Sequence, residues 1–282
     1  MRYYYIASCV FTAQFPECSL RIRNYIEERW GFEMVRCCVP KYKIHQFEEK
    51  MPEGVLRDEW VSLPDSAVFE PGDQVYSLCH NCNNIIEELH TGVQVRTLWE
   101  LIDSDDAFIF PDHSDMQVTV QDCWRSRDRR SEQDAVRNIL DKMHIHWVEA
   151  FHNHQDTDFC GNSLYRQQPP RNPKLAPRHY VDGTKGLFLP HTEEEQKEIM
   201  REYCSRYGTN TVICYCHYCL EGLKNGGKDG RHLAELLFPT FPHGEADHAH
   251  TVDQRMRDVE WDHLLTDKVY PAPAWVQIIQ PQ

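Results

Sequence analysis

Several absences bound this chain before any motif is considered. It has no run of about 20 apolar residues, so no membrane-spanning helix is expected. No G-x-G-x-x-G and no P-loop occurs, which removes the usual signs of a bound nicotinamide, flavin or nucleotide. Positive charge is scarce: 30 Lys and Arg stand against 44 Asp and Glu, a formal net charge of −14. Nonspecific nucleic-acid binding needs a basic surface to neutralise phosphates, so no nucleic-acid partner is expected. The opening Met1-Arg2-Tyr3-Tyr4-Tyr5-Ile6-Ala7-Ser8-Cys9 is too short and too aromatic for a signal-peptide core, and a cytoplasmic location is expected. The compact Cys-x2-Cys-x2-Cys-x3-Cys-Pro run of bacterial ferredoxins is missing.

Cysteine is not scarce: there are 12 in 282 residues. A chain of this length buries enough core to fold without cross-links. In a reducing compartment clustered cysteines read as metal ligands or redox thiols. Most of them fall into one pattern, present twice. The first copy is Cys9, the adjacent pair Cys37-Cys38, then Cys79-His80-Asn81-Cys82. The second is Cys123, then Phe159-Cys160-Gly161, then Cys216-His217-Tyr218-Cys219. Cys18 and Cys204 have no repeat partner and read as ordinary buried thiols.

The repetition extends beyond sulfur. Cys9 and Cys123 are 114 positions apart, and at that offset Arg23-Asn24 matches Arg137-Asn138. Each half begins with a strand-like run ending at its first cysteine, Tyr3 to Ser8 or Met116 to Asp122. A helix-like segment follows, about 18–30 or 131–143, with apolar residues at helical spacing. A short strand comes next, Phe32 to Val35 or Ile145 to Val148. Another strand-like run, Gln74 to Leu78 or Thr211 to Tyr215, precedes each Cys-x-x-Cys, at an offset of 137. The halves close alike, Thr97-Leu98-Trp99-Glu100-Leu101-Ile102 against His232-Leu233-Ala234-Glu235-Leu236-Leu237. The expected fold is α/β: two pseudo-symmetric units with parallel sheets, residues 1–110 and 111–238, and a C-terminal extension, 239–282. Cysteines that follow strands should gather at the strands' carboxyl ends, where open α/β sheets bind ligands.

The chemistry follows from ligand number. Cys9, Cys37, Cys38, Cys79 and Cys82 are five thiolates, one more than a structural zinc site takes. An excess of thiolates suits a multi-iron cluster, in which different irons take different ligands. A thioredoxin-like reading of Cys79 and Cys82 leaves the rest unexplained, and the two Cys-x-x-Cys pairs lie far beyond the ~15–20 residues of a zinc ribbon.

The combined pattern resembles the cysteine-rich CCG domain, which is duplicated in one subunit of the heterodisulfide reductases and in related iron–sulfur oxidoreductase subunits. The resemblance spans roughly 3–103 and 116–238. The first half fills all five cysteine positions, with Val39 where the motif has glycine. The second fills four, with Phe159 in place of the first cysteine of the pair and Gly161 retained. The resemblance implies a noncubane [4Fe-4S] cluster on Cys9, Cys37, Cys38, Cys79 and Cys82, acting through the cluster in catalysis. It implies a [4Fe-4S] cluster of less certain type, cubane being sufficient for four thiolates, on Cys123, Cys160, Cys216 and Cys219. Phe159 puts the paired-cluster disulfide mechanism in doubt, and Cys214 is a weak candidate for a replacement thiolate. The implied activity is reduction of a small thiol-derived disulfide, or of another sulfur-bearing substrate, with electrons from a ferredoxin-like or other iron–sulfur subunit. The alternatives are a noncatalytic electron-transfer or docking subunit and, further off, a zinc-stabilised scaffold.

Four features stay open. His80, Asn81, His217 and Tyr218 sit inside the Cys-x-x-Cys loops, where residues ordinarily face solvent but can donate hydrogen bonds to sulfur. Arg125, Arg127, Arg129 and Arg130 read by default as a solvated face, with screening of thiolates as the other reading. The stretch 161–191 carries Arg166, Arg171, Lys174, Arg178 and Lys185, and reads as a surface loop or a site for an anionic substrate or acidic partner. His243, His248 and His250 lie in a polar tail and read as solvated.

Overall fold

The computed structural model describes residues 1–41, 51, 53–167 and 173–239. The first half runs β1 (Tyr3–Ile6), α1 (Cys9–Gln14), α2 (Pro16–Trp30), β2 (Glu33–Val35), α3 (Val55–Ser62), β3 (Gln74–Ser77), α4 (His80–Leu89), β4 (Gln94–Thr97) and α5 (Leu98–Asp103). The second runs β5 (Gln117–Val120), α6 (Arg130–Lys142), β6 (His146–Glu149), α7 (Glu193–Ser205), β7 (Thr211–Cys214), α8 (His217–Asn225), β8 (Asp229–His232) and α9 (Leu233–Leu237). The strands form two four-stranded sheets, ordered β2-β1-β3-β4 and β6-β5-β7-β8. Every pairing is parallel, so the expected pair of parallel α/β units is present.

The strands are short and apolar because helices cover them. Tyr4, Tyr5, Ile6 and Val75 are buried in the first sheet, and Val118, Val120, Val212 and Ile213 in the second. The expected first helix, about 18–30, is α2, which starts at Pro16, where a missing N–H costs nothing. An additional short helix that the sequence pattern did not predict, α1, precedes it and starts at Cys9 itself. In the second half a single 3-10 turn, Trp124–Ser126, stands in α1's place. Gly31 closes α2 in the left-handed conformation, φ 64°.

The halves pack through α5 against α6, where Lys142 Nζ reaches Asp103 at 2.7 Å. The buried stripe of α6, Ala135, Val136, Ile139 and Leu140, supplies much of the apolar contact surface on that helix. In each sheet the chain steps from the first strand to one side, then crosses to the other. The strand order therefore reverses between β1 and β3 and between β5 and β7. Crevices at the carboxyl ends of such strand pairs are the usual ligand sites of open α/β sheets. The C-terminal extension, with His243, His248 and His250, lies outside the described residues apart from its start.

Candidate metal centres

All of the motif cysteines are buried and none is in a disulfide. Cys9 leaves the end of β1 and opens α1, and Cys37 and Cys38 follow β2. Cys79 is the cap residue of α4 and Cys82 lies in its first turn. Cys82 sits beside Cys38 and Cys79, and Cys9 interacts with Cys37 and Cys79. The five predicted ligands of the first half are therefore one group. The second half repeats the arrangement. Cys123 follows β5, Cys216 caps α8, and Cys219 interacts with Cys123, Cys160 and Cys216. Cys123 Sγ and Cys160 Sγ are 3.7 Å apart. In both halves the helix N-terminus places backbone N–H groups where thiolates benefit from them.

The two groups differ electrically. Burial pushes the Cys9 thiol well up, with Cys37 and Cys79 adding to it. Contact with Cys82, then burial, raises Cys79; contact with Cys38 raises Cys82. Burial pushes Cys37 up to about 12. The first set is thus held as neutral thiols, which must lose protons to bind a metal. In the second set burial also opposes ionisation of Cys160, but Cys123, Cys219 and the Arg125 charge hold it well below the usual thiol value. Cys123 and Cys219, with His80 assisting against burial, do the same for Cys216.

Arg125 contributes to that asymmetry at Cys160, after Cys123 and Cys219. Its Nη1 donates to Cys160 Sγ, and to Ser163 Oγ at 3.3 Å. Its guanidinium lies 4.9 Å from the Tyr218 ring centroid and 5.6 Å from that of Tyr180. The default reading of this arginine as solvated is therefore wrong. Arg129 is likewise engaged, with Glu87 at 2.6 Å, whereas Arg130 is exposed and pairs with Asp134. At the position matching Arg125, the first half has Phe11, buried among aromatics.

The Cys-x-x-Cys loop residues are also not solvent-facing. His80 is buried, and its Nε2 lies 3.0 Å from Glu132 Oε1 across the two halves. Burial lowers the affinity of His80 for a proton, but Glu132 and Cys216 overcome this and push its pKa up to about 10. One His80 ring nitrogen, Cys123 Sγ and Cys216 Sγ all lie within 4.8 Å of one another. Asn81 accepts a hydrogen bond from the Tyr180 hydroxyl. His217 and Tyr218 are buried, their rings 4.1 Å apart.

Phe159, in place of the absent cysteine, is a core residue whose ring packs 4.9 Å from that of Tyr203. Cys214 does not replace the thiolate. Its Sγ turns to the Cys216 carbonyl, 3.7 Å away, much as the matching Ser77 hydroxyl turns to the Cys79 carbonyl. Both are turn-stabilising contacts. Gly161 is retained for a steric reason: a Cβ there would lie 1.9 Å from the Tyr218 carbonyl oxygen, on a backbone with φ +53°.

The described part of the stretch 161–191 is a strap rather than a solvated loop. Leu175, Ala176, Tyr180 and Thr184 are buried. The backbone N–H groups of Arg178 and His179 both donate, at 3.0 Å, to the Glu88 carboxylate on α4. Arg166 pairs with Glu221 at 3.0 Å. A π-helical turn, Arg178–Asp182, carries the buried Tyr180, which interacts with Cys79 and with Arg125. Such turns recur at functional sites. Beside it opens a cleft of about 240 Å³ lined by Asn84, Trp124, Arg125, Arg127, Asp128, Arg178, His179 and Gly183. A larger cavity, about 440 Å³, opens at Gln117, Ile145, His146 and Thr209, at the other end of the second sheet from the cysteines. The cleft is the one that adjoins the chemistry, since Arg125 both lines it and touches Cys160.

Sequence reasoning singled out the cysteines, His80 and the arginines but missed Glu132 and Tyr180, which carry no motif and reach the site only through tertiary packing. No helix among the described residues is long and apolar enough to cross a membrane. No family model, curated protein or solved structure matches the chain.

Proposed function

We propose that this chain is a cytoplasmic iron–sulfur oxidoreductase subunit, of the kind that carries the duplicated CCG domain in heterodisulfide reductases, with units 1–110 and 111–238. The observation that carries this reading is the assembly of two buried groups of unpaired cysteines at the carboxyl ends of two duplicated parallel sheets. Cys9, Cys37, Cys38, Cys79 and Cys82 would hold a noncubane [4Fe-4S] cluster, since five donors exceed a zinc site. Cys123, Cys160, Cys216 and Cys219 would hold a second cluster. Such clusters supply single electrons, and the overall reaction consumes two electrons and two protons to turn one disulfide into two thiols. The electrons come from a ferredoxin-like or other iron–sulfur partner. The chain's own part is to hold the thiolates, exclude water and stabilise anionic sulfur through Arg125. The adjoining cleft, lined by Arg125, Arg127, Arg178 and His179 with Asp128, would admit a small anionic disulfide or thiol next to the Arg125 guanidinium.

One observation favours a second reading at the second centre. Two thiolates on one tetrahedral ion, each at about 2.3 Å, stand about 3.8 Å apart. The Cys123–Cys160 separation of 3.7 Å matches that geometry, whereas a cubane takes one thiolate per iron. A single ion held there by the four cysteines would make the chain a relay or docking subunit. The deciding measurement is iron, acid-labile sulfide and zinc, with EPR, on anaerobically purified protein and on Cys38→Ser. About eight irons, with one signal lost in the variant, supports two clusters. About four irons plus one zinc supports the second reading. Zinc without iron sinks the redox function.

A further inference from the structure

The second cysteine group is one thiolate short of the first, and the Phe159 side chain has left the site for Tyr203. A donor stands there from the opposite half. His80 belongs to the first Cys-x-x-Cys, yet a ring nitrogen of it groups with Cys123 Sγ and Cys216 Sγ within 4.8 Å. The imidazole is held on several sides. Its Nε2 is fixed by Glu132 Oε1 at 3.0 Å, and its ring stands nearly perpendicular to that of Tyr215, with centroids 5.5 Å apart. Both His80 and Glu132 are almost fully buried, with side-chain exposures of 0% and 1%. Nδ1 is buried and has no well-formed hydrogen bond; the ring's other polar neighbour is the Cys216 thiol. A buried nitrogen left unsatisfied carries its whole desolvation penalty, so a fold that fixes it beside thiolates implies something for it to bind.

The rest of the arrangement matches what metal sites require. A metal-bound histidine commonly gives its second ring N–H to a carboxylate, which sets the tautomer and orients the ring. Glu132 on Nε2 leaves Nδ1 as the donor atom, and the proton that the metal-free imidazole carries is released when metal binds. We propose that His80 is a metal ligand of the second centre, binding through Nδ1 alongside Cys123, Cys160, Cys216 and Cys219, with Glu132 as its positioning residue. The proposal rests on reading the cysteine groups as metal centres. It restores a set of five donors to the second half, matching the five of the first. It also makes that centre a joint product of both halves. A neutral imidazole in place of a thiolate lowers the negative charge of the centre, and histidine-for-cysteine replacement raises the potential of iron–sulfur sites. The second centre should then be the more oxidising of the two.

The test uses the full chain, purified anaerobically with its own metal. Metal and sulfide analysis comes first: protein that binds neither iron nor zinc overturns the reading of the cysteines as centres, and this proposal with it. On loaded protein, pulsed EPR with and without 15N-histidine, together with X-ray absorption at the edge of whichever metal is found, reports the ligand atom directly. The expected result is a histidine nitrogen bound to metal in the native chain and absent in His80→Cys, with the metal content of His80→Cys retained. Glu132→Gln, which keeps the imidazole, should keep the nitrogen signal and lower metal affinity 10–100-fold. An all-sulfur metal shell in the loaded native chain, or a nitrogen signal that persists in His80→Cys, overturns the proposal while leaving the two-centre reading intact.

Discussion

Around Cys9, Cys37, Cys38, Cys79 and Cys82 the dominant influences are burial and mutual proximity, with Arg36 acting on Cys37. Around Cys123, Cys160, Cys216 and Cys219 there is also a buried guanidinium, and an imidazole that arrives from the opposite half. The same β–α topology thus presents two different electrical environments. The backbone of the second site is also better braced. Asp122, which precedes Cys123, accepts from Arg137 Nη1 at 2.5 Å and Nη2 at 2.9 Å, and from the Tyr215 hydroxyl at 2.6 Å. The matching residue before Cys9 is Ser8, whose buried hydroxyl makes no well-formed hydrogen bond and has the Cys79 thiol as its neighbour. A duplicated fold therefore supplies equivalent positions for sulfur, and the residues beside the sulfurs decide what each position is suited to do. In the first centre every thiol is held high; in the second Cys160 and Cys216 are held low while Cys123 and Cys219 are held high.

The contrast can be broken most directly at the ligands. Cys82→Ser should remove the first centre and leave the second, halving an iron content of about eight to about four. Cys219→Ser should do the converse, and loss of all metal from either variant would show that the centres are not separate. Arg125→Met removes the buried guanidinium that donates to Cys160 Sγ. Breaking a buried charge pair costs about 3–5 kcal/mol, so urea unfolding of the metal-free chain should shift by that order. An unchanged midpoint would mean that Cys160 is not ionised there.

The contrast can be sharpened by pH. Cys37 is neutral in the folded chain up to about 12, while an unfolded cysteine ionises near its ordinary value of 9.0. Above pH 9 the unfolded state binds fewer protons than the folded one, so stability must fall as pH rises. Cys37 alone should contribute about 1.4 kcal/mol per pH unit, up to its folded value. Cys160 and Cys216, held low, act in the opposite sense. Their contribution is complete above the ordinary thiol value and is lost as pH falls toward their folded values. Denaturation of metal-free protein from pH 8 to 10.5 should show an alkaline decline that Cys37→Ala flattens; no change in slope would remove Cys37 as its source. The smallest effect lies at the helix caps. Thr97 caps α5 in a reciprocal box with Glu100, while its counterpart His232 caps α9 through Nδ1 at 3.2 Å. Thr97→Ala should cost about 1 kcal/mol by thermal or urea unfolding.

The duplication, the parallel α/β build and the gathering of the cysteines after strands were legible in the sequence, because each rests on local pattern: apolar runs that end at cysteines, repeated in both halves. The helix over about 18–30 was legible from its apolar spacing, whereas the short helix that opens at Cys9 was not. The partners of those cysteines were not legible. His80 and Glu132 are separated by 52 positions, and Tyr180 and Asn81 by 99, so only the packing of one half on the other joins them. Arg125 was hidden differently. It stands among Arg127, Arg129 and Arg130, and a run of like charges gives no sign that one member turns inward.

The strap has a consequence for the history of the chain. A duplicated unit begins as two interchangeable modules, each able in principle to be inherited, swapped or lost alone. Here the second module's insertion is fastened to Glu88 and Asn81 of the first, while the first lends His80 to Glu132 of the second. Each copy has come to depend on an atom that the other holds. Severing the chain near residue 110 would therefore yield two incomplete fragments, with Tyr180 and His80 each parted from its partner. The repeat remains visible in the sequence, but the modularity from which it arose has been given up.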